Sequence, residues 1–246
     1  MSIQRLLYII IITLFLTYPC LANDPLLQEE YLDNQAAMKK VNDPWESFNR
    51  KMFSFNDKFI KHVMTPIAKG YNFVIHKRMQ KSVNNLYGNI HMPIRFFSCV
   101  FQGKFTGATT EMGRFIMNST LGIGGLFDPA LKFAKLQNQD EDFGQVFAFH
   151  GASNGNYIVL PFLGPSTLRD SIGRIFDAAF DPLTWVGIYK WVDPQEAILD
   201  ISALEKINYF AYKGQDQYND FLKSAIDPYI ASQDAYLQNR ENKIKN

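Results

Sequence analysis

Asp142-Phe143-Gly144 spells the metal-binding triplet of protein kinases, and Gly164-Pro165-Ser166-Thr167-Leu168 falls one glycine short of a serine-hydrolase elbow. Neither string has the companions its chemistry needs. The triplet works beneath a glycine-rich loop, with a strand lysine and an HRD loop, and the chain carries none of these. The elbow needs a glycine where Leu168 stands, so Ser166 reads more simply as a helix N-cap. Gly122, Gly124 and Gly125 crowd into LGIGGLFDPA, but that string matches neither phosphate-binding pattern, GxxxxGK[ST] or GxGxxG. His62, His76, His91 and His150 are scattered and form no HExxH pair, which argues against a metal centre. His150 beside Gly151 has two readings, a pH-sensitive switch or a hydrogen-bonded loop histidine. Cys99, inside FFSCVF, reads as a small buried hydrophobe rather than a nucleophile. These residues predict no catalytic site, no cofactor and no metal, so the protein is not expected to be an enzyme.

Amphipathic helices dominate the rest. Trp45, Phe48, Met52, Phe55 and Phe59 recur at spacings of 3, 4, 3 and 4, and Phe53 and Ile60 widen the stripe. Lys51, Asp57, Lys58 and Lys61 sit largely away from it. An aromatic face opposite a lysine-rich one suits a helix lying in the plane of lipid headgroups. It equally suits a helix facing a protein core. Asp43-Pro44 opens this helix, since Asp is a good N-cap and Pro is favoured at the first helical position. The same dipeptide stands at Asp128-Pro129, Asp181-Pro182, Asp193-Pro194 and Asp227-Pro228, which predicts a mainly helical protein with abrupt connections. Pro66 is expected to open another helix ending near Met79, and Pro93 a third. Lys104 to Ser119 continues as a helix with Phe105, Ala108, Met112, Phe115 and Ile116 on one side. The break at Gly122, Gly124 and Gly125 reads as a tight, flexible turn and a hinge candidate. Past Ser166 a helix presents Leu168, Ile172, Ile175, Phe176 and Ala179, with Asp170 and Arg174 spaced for a surface pair. The last helix starts at Pro228 and runs out into a solvated, charge-mixed tail, NRENKIKN.

Between the helices lies Asp142 to Asp170, with five Gly and Pro residues from Gly151 to Pro165 around an apolar YIVLPFL. Glycine supplies backbone angles other residues avoid and proline removes a donor. The segment therefore reads as a shaped, non-helical insert, hairpin-like near 151–164. It is either a buried strand pair or a loop facing lipid or a pore. At about seven apolar residues, Tyr157 to Leu163 is far short of the roughly 20 needed to cross a bilayer.

Residues 1–22 read as a targeting signal: Arg5 gives a basic start and Leu6 to Leu16 an apolar run. Two processing routes fit, cleavage after Ala22 or lipidation of Cys20, although Thr17-Tyr18-Pro19 is a poor lipobox. Of 25 basic residues Arg5 leaves with the signal, so the rest carries 24 acidic residues against as many basic ones. A neutral, mixed surface argues against nucleic acid. Only Cys99 remains beyond Cys20, so no internal disulfide is available. The 21 Phe and 12 Tyr in 246 residues suit contact with lipid as well as a core. No internal repeat or linker divides the chain: a lead-in at 23–42 precedes one domain at 43–240 and a charged tail at 241–246.

DPWESFNRKMFSFND (43–57), FQGK (101–104), RFIMNSTLGIGGLFDPA (114–130), DEDFGQVFAFHG (140–151) and LPFLGPSTLRDSIG (160–173) together resemble the MlaA family, also called VacJ. Their order and spacing hold over nearly the whole mature chain. The resemblance implies an all-α protein lying flat in the periplasmic leaflet of a Gram-negative outer membrane, its helices ringing an amphipathic pore. Misplaced phospholipids would pass from the outer leaflet to a periplasmic lipid carrier, beside a trimeric porin, so that lipid asymmetry is maintained. Trp45, Phe48, Met52, Phe55 and Phe59 would then face lipid. Arg114 and Asn118, one turn apart, would touch headgroups, unless Arg114 only pairs with an acid such as Asp142 or Asp170. Gly122, Gly124 and Gly125 would form the hinge. The chain departs from the family at KSVNNL (81–86), which puts that connection in doubt. The competing expectation is a non-transporting envelope protein built as a soluble helical bundle.

Overall fold

Proline at the first helical position starts four helices in the computed structural model, which describes residues 43–188 and 194–245. The expected signal peptide with Cys20, the lead-in to residue 42 and the Asp193 cap lie outside the described residues. Helix α1 (Glu46–Phe59) passes through a π-turn at Ile60–Met64 into α2 (Thr65–Val74). Then come α3 (Lys77–Ile90), α4 (Met92–Phe101), α5 (Phe105–Thr120), α6 (Pro129–Ala134) and α7 (Phe143–Phe149). A two-stranded antiparallel hairpin, β1 (Tyr157–Leu160) with β2 (Gly164–Thr167), is followed by α8 (Leu168–Phe180) and α9 (Pro182–Ile188). Helix α10 (Pro194–Tyr209) crosses a second π-turn at Phe210–Gly214 into α11 (Gln215–Ser224), and α12 (Pro228–Lys245) closes the chain. The protein is a mainly helical domain with one small sheet, as expected.

The two π-interrupted helices run antiparallel, joined at two levels, and Lys77 at the start of α3 adds a third tie to the second of them. Tyr218 donates to Asp57, Tyr71 to Asn208 (2.9 Å), and Lys77 to the Ala211 carbonyl (2.7 Å). Pro66 opens no new helix: it sits in the first turn of α2, just past the π-turn, where its missing N–H is tolerated. The break falls instead at Ile75–His76, ahead of α3, and KSVNNL is an uninterrupted part of that helix. The expected start at Pro44 is delayed to Glu46.

Other expectations shift for local reasons. Phe143–Phe149 is helical, so the non-helical insert is shorter than the pattern suggested. Asp142 caps α7 by accepting from Gln145 N (3.0 Å), and Gly144 lets α8 approach so closely that a Cβ there would overlap Arg240 and Asp170. Ser166 is a strand residue, and Thr167 caps α8 by accepting from Asp170 N. The charged tail is helical to Lys245, with Arg240 buried. Asp170 forms no pair with Arg174; it is buried beside Arg169 and Arg240.

Polarity is inverted relative to a water-soluble bundle. Among the described residues, 17 buried side chains are polar or charged and 12 are apolar, while 29 large apolar side chains are exposed, Phe73 at 93%. No helix among them is long and apolar enough to cross a membrane.

Candidate functional site

Helix α3 carries Asn84, Asn85, Gly88 and Asn89 on one face, at spacings that bring consecutive turns together. Met92 and Arg95 of α4 and Arg114, Phe115 and Asn118 of α5 face the same space. Asp128, Asn138 and Lys213 complete the wall of a cavity of about 320 Å³. Nine of the twelve lining residues are polar or charged, so the space suits water or a polar group.

Arg114 and Asn118 both line this cavity, and both hold Asp128. Arg114 donates to one Asp128 oxygen (2.9 Å) and to the Leu136 carbonyl; Asn118 donates to the other (3.1 Å) and accepts from Ala130 N (3.1 Å). Asp128 also caps α6 through Leu131 N (3.0 Å). Burial acts to raise the Asp128 carboxyl, yet Leu131 N, Arg114 and Asn118 together hold it below the usual range. The acid that Arg114 meets is thus neither Asp142 nor Asp170. Arg95 is similarly committed, donating to Glu111 (2.9 Å) and to the Gly88 carbonyl (2.9 Å). The glycine-rich turn closes one side: Asn89 donates to the Gly124 carbonyl (3.3 Å) and Asn85 to the Leu126 carbonyl (3.3 Å). Gly125, at φ +100°, lies so close to Asn89 that a Cβ would sit 2.5 Å from it, and only glycine fits.

The aromatic helix α1 reverses the usual arrangement. Trp45, Phe48 and Phe55 are exposed, Met52 and Phe59 half-buried, and the buried positions are Asn49 and Asn56. These two asparagines, two turns apart, take the place of a third strand. Asn49 donates to the Tyr157 carbonyl (3.1 Å) and accepts from Val159 N (2.9 Å). Asn56 donates to the Leu160 carbonyl (2.9 Å) and accepts from Phe162 N (2.7 Å). They thereby satisfy the open edge of β1, which would otherwise expose unpaired backbone groups. Phe162, at φ +62°, is pinned edge-on between Phe55 and Phe59, with ring centroids 5.1 and 4.9 Å apart. Met52 and Phe53 pack against the small apolar core of Tyr157, Val159 and Tyr229.

A second polar cluster ties α12 to α7 and α8. Arg240 donates to both oxygens of Asp142 (2.6 and 2.9 Å) and to Asp170 (2.9 Å), and Tyr236 donates to Asp170. Burial pushes the neighbouring Asp177 up to about 6, even though Phe143 N donates to it. Cys99 is fully buried, its thiol pushed up to about 11 by burial, in keeping with an inert side chain. His150 Nε2 donates to the Phe101 carbonyl (3.1 Å), as a hydrogen-bonded loop histidine does.

Sequence reasoning missed Asn49, Asn56, Asn84, Asn89 and Arg240. The first pair had a signal, two asparagines seven residues apart inside an aromatic stripe; Arg240 had none.

A helical protein with polar side chains gathered inward around a cavity and aromatic side chains turned outward is the class this architecture defines. The chain belongs to the MlaA lipoprotein family, whose pattern matches residues 41–243. A protein of Rickettsia bellii is 34% identical over all of this chain and 94% of its own length. The intermembrane phospholipid transport system lipoprotein MlaA of Haemophilus influenzae is 31% identical, over 82% of this chain and 79% of that protein. Its Escherichia coli namesake is 28% identical over 81% and 77%. A solved structure described as the structural basis for maintenance of bacterial outer membrane lipid asymmetry superposes with a TM-score of 0.67 and 25% identity, covering 82% of this chain and 99% of that one.

Proposed function

We propose that the protein is the phospholipid-transport component its family relatives are named for. It lies in the periplasmic leaflet of a Gram-negative outer membrane and removes mislocalised phospholipids from the outer leaflet. The helices ring an amphipathic pore, of which the asparagine-lined cavity is the polar part. A lipid's headgroup moves through the cavity while its acyl chains remain against the aromatic exterior. This avoids stripping water from a charged headgroup in hydrocarbon, a cost of several kcal/mol or more. In this reading Trp45, Phe48, Met52, Phe55 and Phe59 form part of the lipid-facing surface, Arg114 and Asn118 stiffen the pore wall, and Gly122, Gly124 and Gly125 provide its hinge. A periplasmic lipid carrier receives the lipid, and a trimeric porin holds the assembly. The role is non-catalytic.

The inverted burial carries this reading: a soluble bundle would not leave 29 large apolar side chains exposed while burying 17 polar ones among the described residues. Phe48→Asp provides a test, since Phe48 is 47% exposed and its charge would stand on the outer face. The variant should lose most of its flotation with phospholipid vesicles and keep its helix content. Unchanged flotation would favour the soluble-bundle alternative, and unfolding would place Phe48 in a core.

A further inference from the structure

We propose that Lys213 is the phosphate-binding cation of a subsite for anionic phospholipid headgroups in the cavity. The inference rests on the transport reading and deepens it by assigning a headgroup class. Three cations line the cavity, and two are already committed: Arg95 to Glu111 and Arg114 to Asp128. Lys213 forms no ion pair among the described residues; its ammonium lies 5.5 Å from the centroid of the neighbouring Tyr212 ring. The cavity wall therefore carries one uncompensated positive charge, the complement of one phosphodiester.

The presentation of Lys213 is built rather than incidental. It sits in the π-turn Phe210–Gly214, a helix irregularity that shifts side-chain directions and is common at functional sites. Lys77 donates to two carbonyls of this turn, those of Ala211 (2.7 Å) and Tyr212 (3.4 Å). Asn208, one turn earlier and 1% exposed, donates to the Gln80 carbonyl on α3 (3.0 Å). In the same cavity, the amides of Asn84 and Asn85 can donate to phosphate oxygens without adding charge.

The same wall lacks what a zwitterionic headgroup needs. An ethanolamine ammonium wants a carboxylate, and Asp128, the carboxylate lining the cavity, already accepts from Arg114, Asn118 and Leu131 N. A headgroup with one negative charge and neutral hydroxyls is the better match.

The test uses the full chain in detergent, titrated with short-chain phosphatidylglycerol, short-chain phosphatidylethanolamine and inorganic phosphate. Wild type should favour the glycerol headgroup over ethanolamine. Lys213→Gln should weaken phosphatidylglycerol binding about tenfold, the scale of one charge-assisted contact. Phosphatidylethanolamine, whose ammonium offsets the charge of its phosphodiester, should be weakened much less, the melting temperature should be unchanged, and Lys213→Arg should restore most of the preference. Equal binding of both lipids, unaltered in Lys213→Gln, would overturn the subsite and leave lipid transport standing. Binding of neither lipid would count against transport itself and take the subsite with it. Competition by inorganic phosphate at concentrations matching the lipid would make Lys213 a small-anion site and overturn its headgroup role.

Discussion

Arg240→Met is expected to destabilise the fold by roughly 3–5 kcal/mol, the scale for removing one partner from a buried ion cluster. The substitution keeps length and apolar stem but strands Asp142 and Asp170, which Arg240 bridges. Asp170 is 5% exposed, so water offers little relief. Burial acts to raise both carboxyls, and Arg240, with Tyr236 on Asp170, holds them below the usual range instead. The pH dependence follows from that direction. A depressed folded-state value contributes stability above the unfolded carboxylate range, near 4, which is lost as pH falls through the depressed values. In the variant both carboxyls are freed to protonate, so its deficit should be large at pH 7 and shrink toward pH 4. Asp177, raised to about 6, acts oppositely in both proteins: its contribution improves as pH falls below 6. Unfolding followed by helix signal in detergent, at both pH values, measures the difference. A deficit under about 1 kcal/mol at pH 7 would show that the cluster does not hold α12 in place.

The second large effect is expected from Asn49→Leu. By hydrophobic pattern the change improves α1, extending its apolar stripe. By structure it removes a fully buried side chain that serves one donor and one acceptor of β1, the Tyr157 carbonyl and Val159 N. Each buried group left unpaired costs about 1–3 kcal/mol, so the loss from the two should be roughly 2–6 kcal/mol. The Val159 amide should also exchange with solvent markedly faster. Asn56→Leu should cost less, because Asn56 retains 8% exposure and serves the end of the strand and its turn. A neutral or stabilising Asn49→Leu would mean that water or backbone already satisfies the hairpin edge.

These two sites mark where the sequence was legible and where it was not. Helix starts were open to reading because Asp-Pro acts locally: Asp128 and Asp227 cap α6 and α12 through N–H groups two or three residues away. The hairpin was visible in its Gly and Pro spacing. Much of the interior was hidden because key polar residues there are explained by a partner far along the chain. Asn49 answers to Tyr157, Arg240 to Asp142, and Arg114 to Asp128 across the glycine turn. Periodicity alone left the α1 stripe open between lipid and core, and the structure divides it: Trp45, Phe48 and Phe55 are exposed, while Met52 and Phe53 pack inward. Pro66 misled for the same kind of reason, since the π-turn before it absorbs the break a proline usually makes. Phe143–Phe149 reads as part of the non-helical insert because the apolar run is short and leads into the Gly- and Pro-rich stretch from Gly151 to Pro165. It is instead the contact point of α7 with α8, where a Cβ on Gly173 would meet Gly144 backbone at 2.5 Å.

The central claim, that headgroups pass inside while acyl chains stay outside, is tested most directly by photo-crosslinking from two positions. A photoreactive phenylalanine analogue replaces Asn84, which lines the cavity, or Phe73, which is 93% exposed. Membranes supply phospholipid labelled in the headgroup or in the acyl chain. The account predicts headgroup capture at position 84 and acyl-chain capture at position 73. Acyl capture at both positions, or no headgroup capture at position 84 while position 73 reacts, would contradict it.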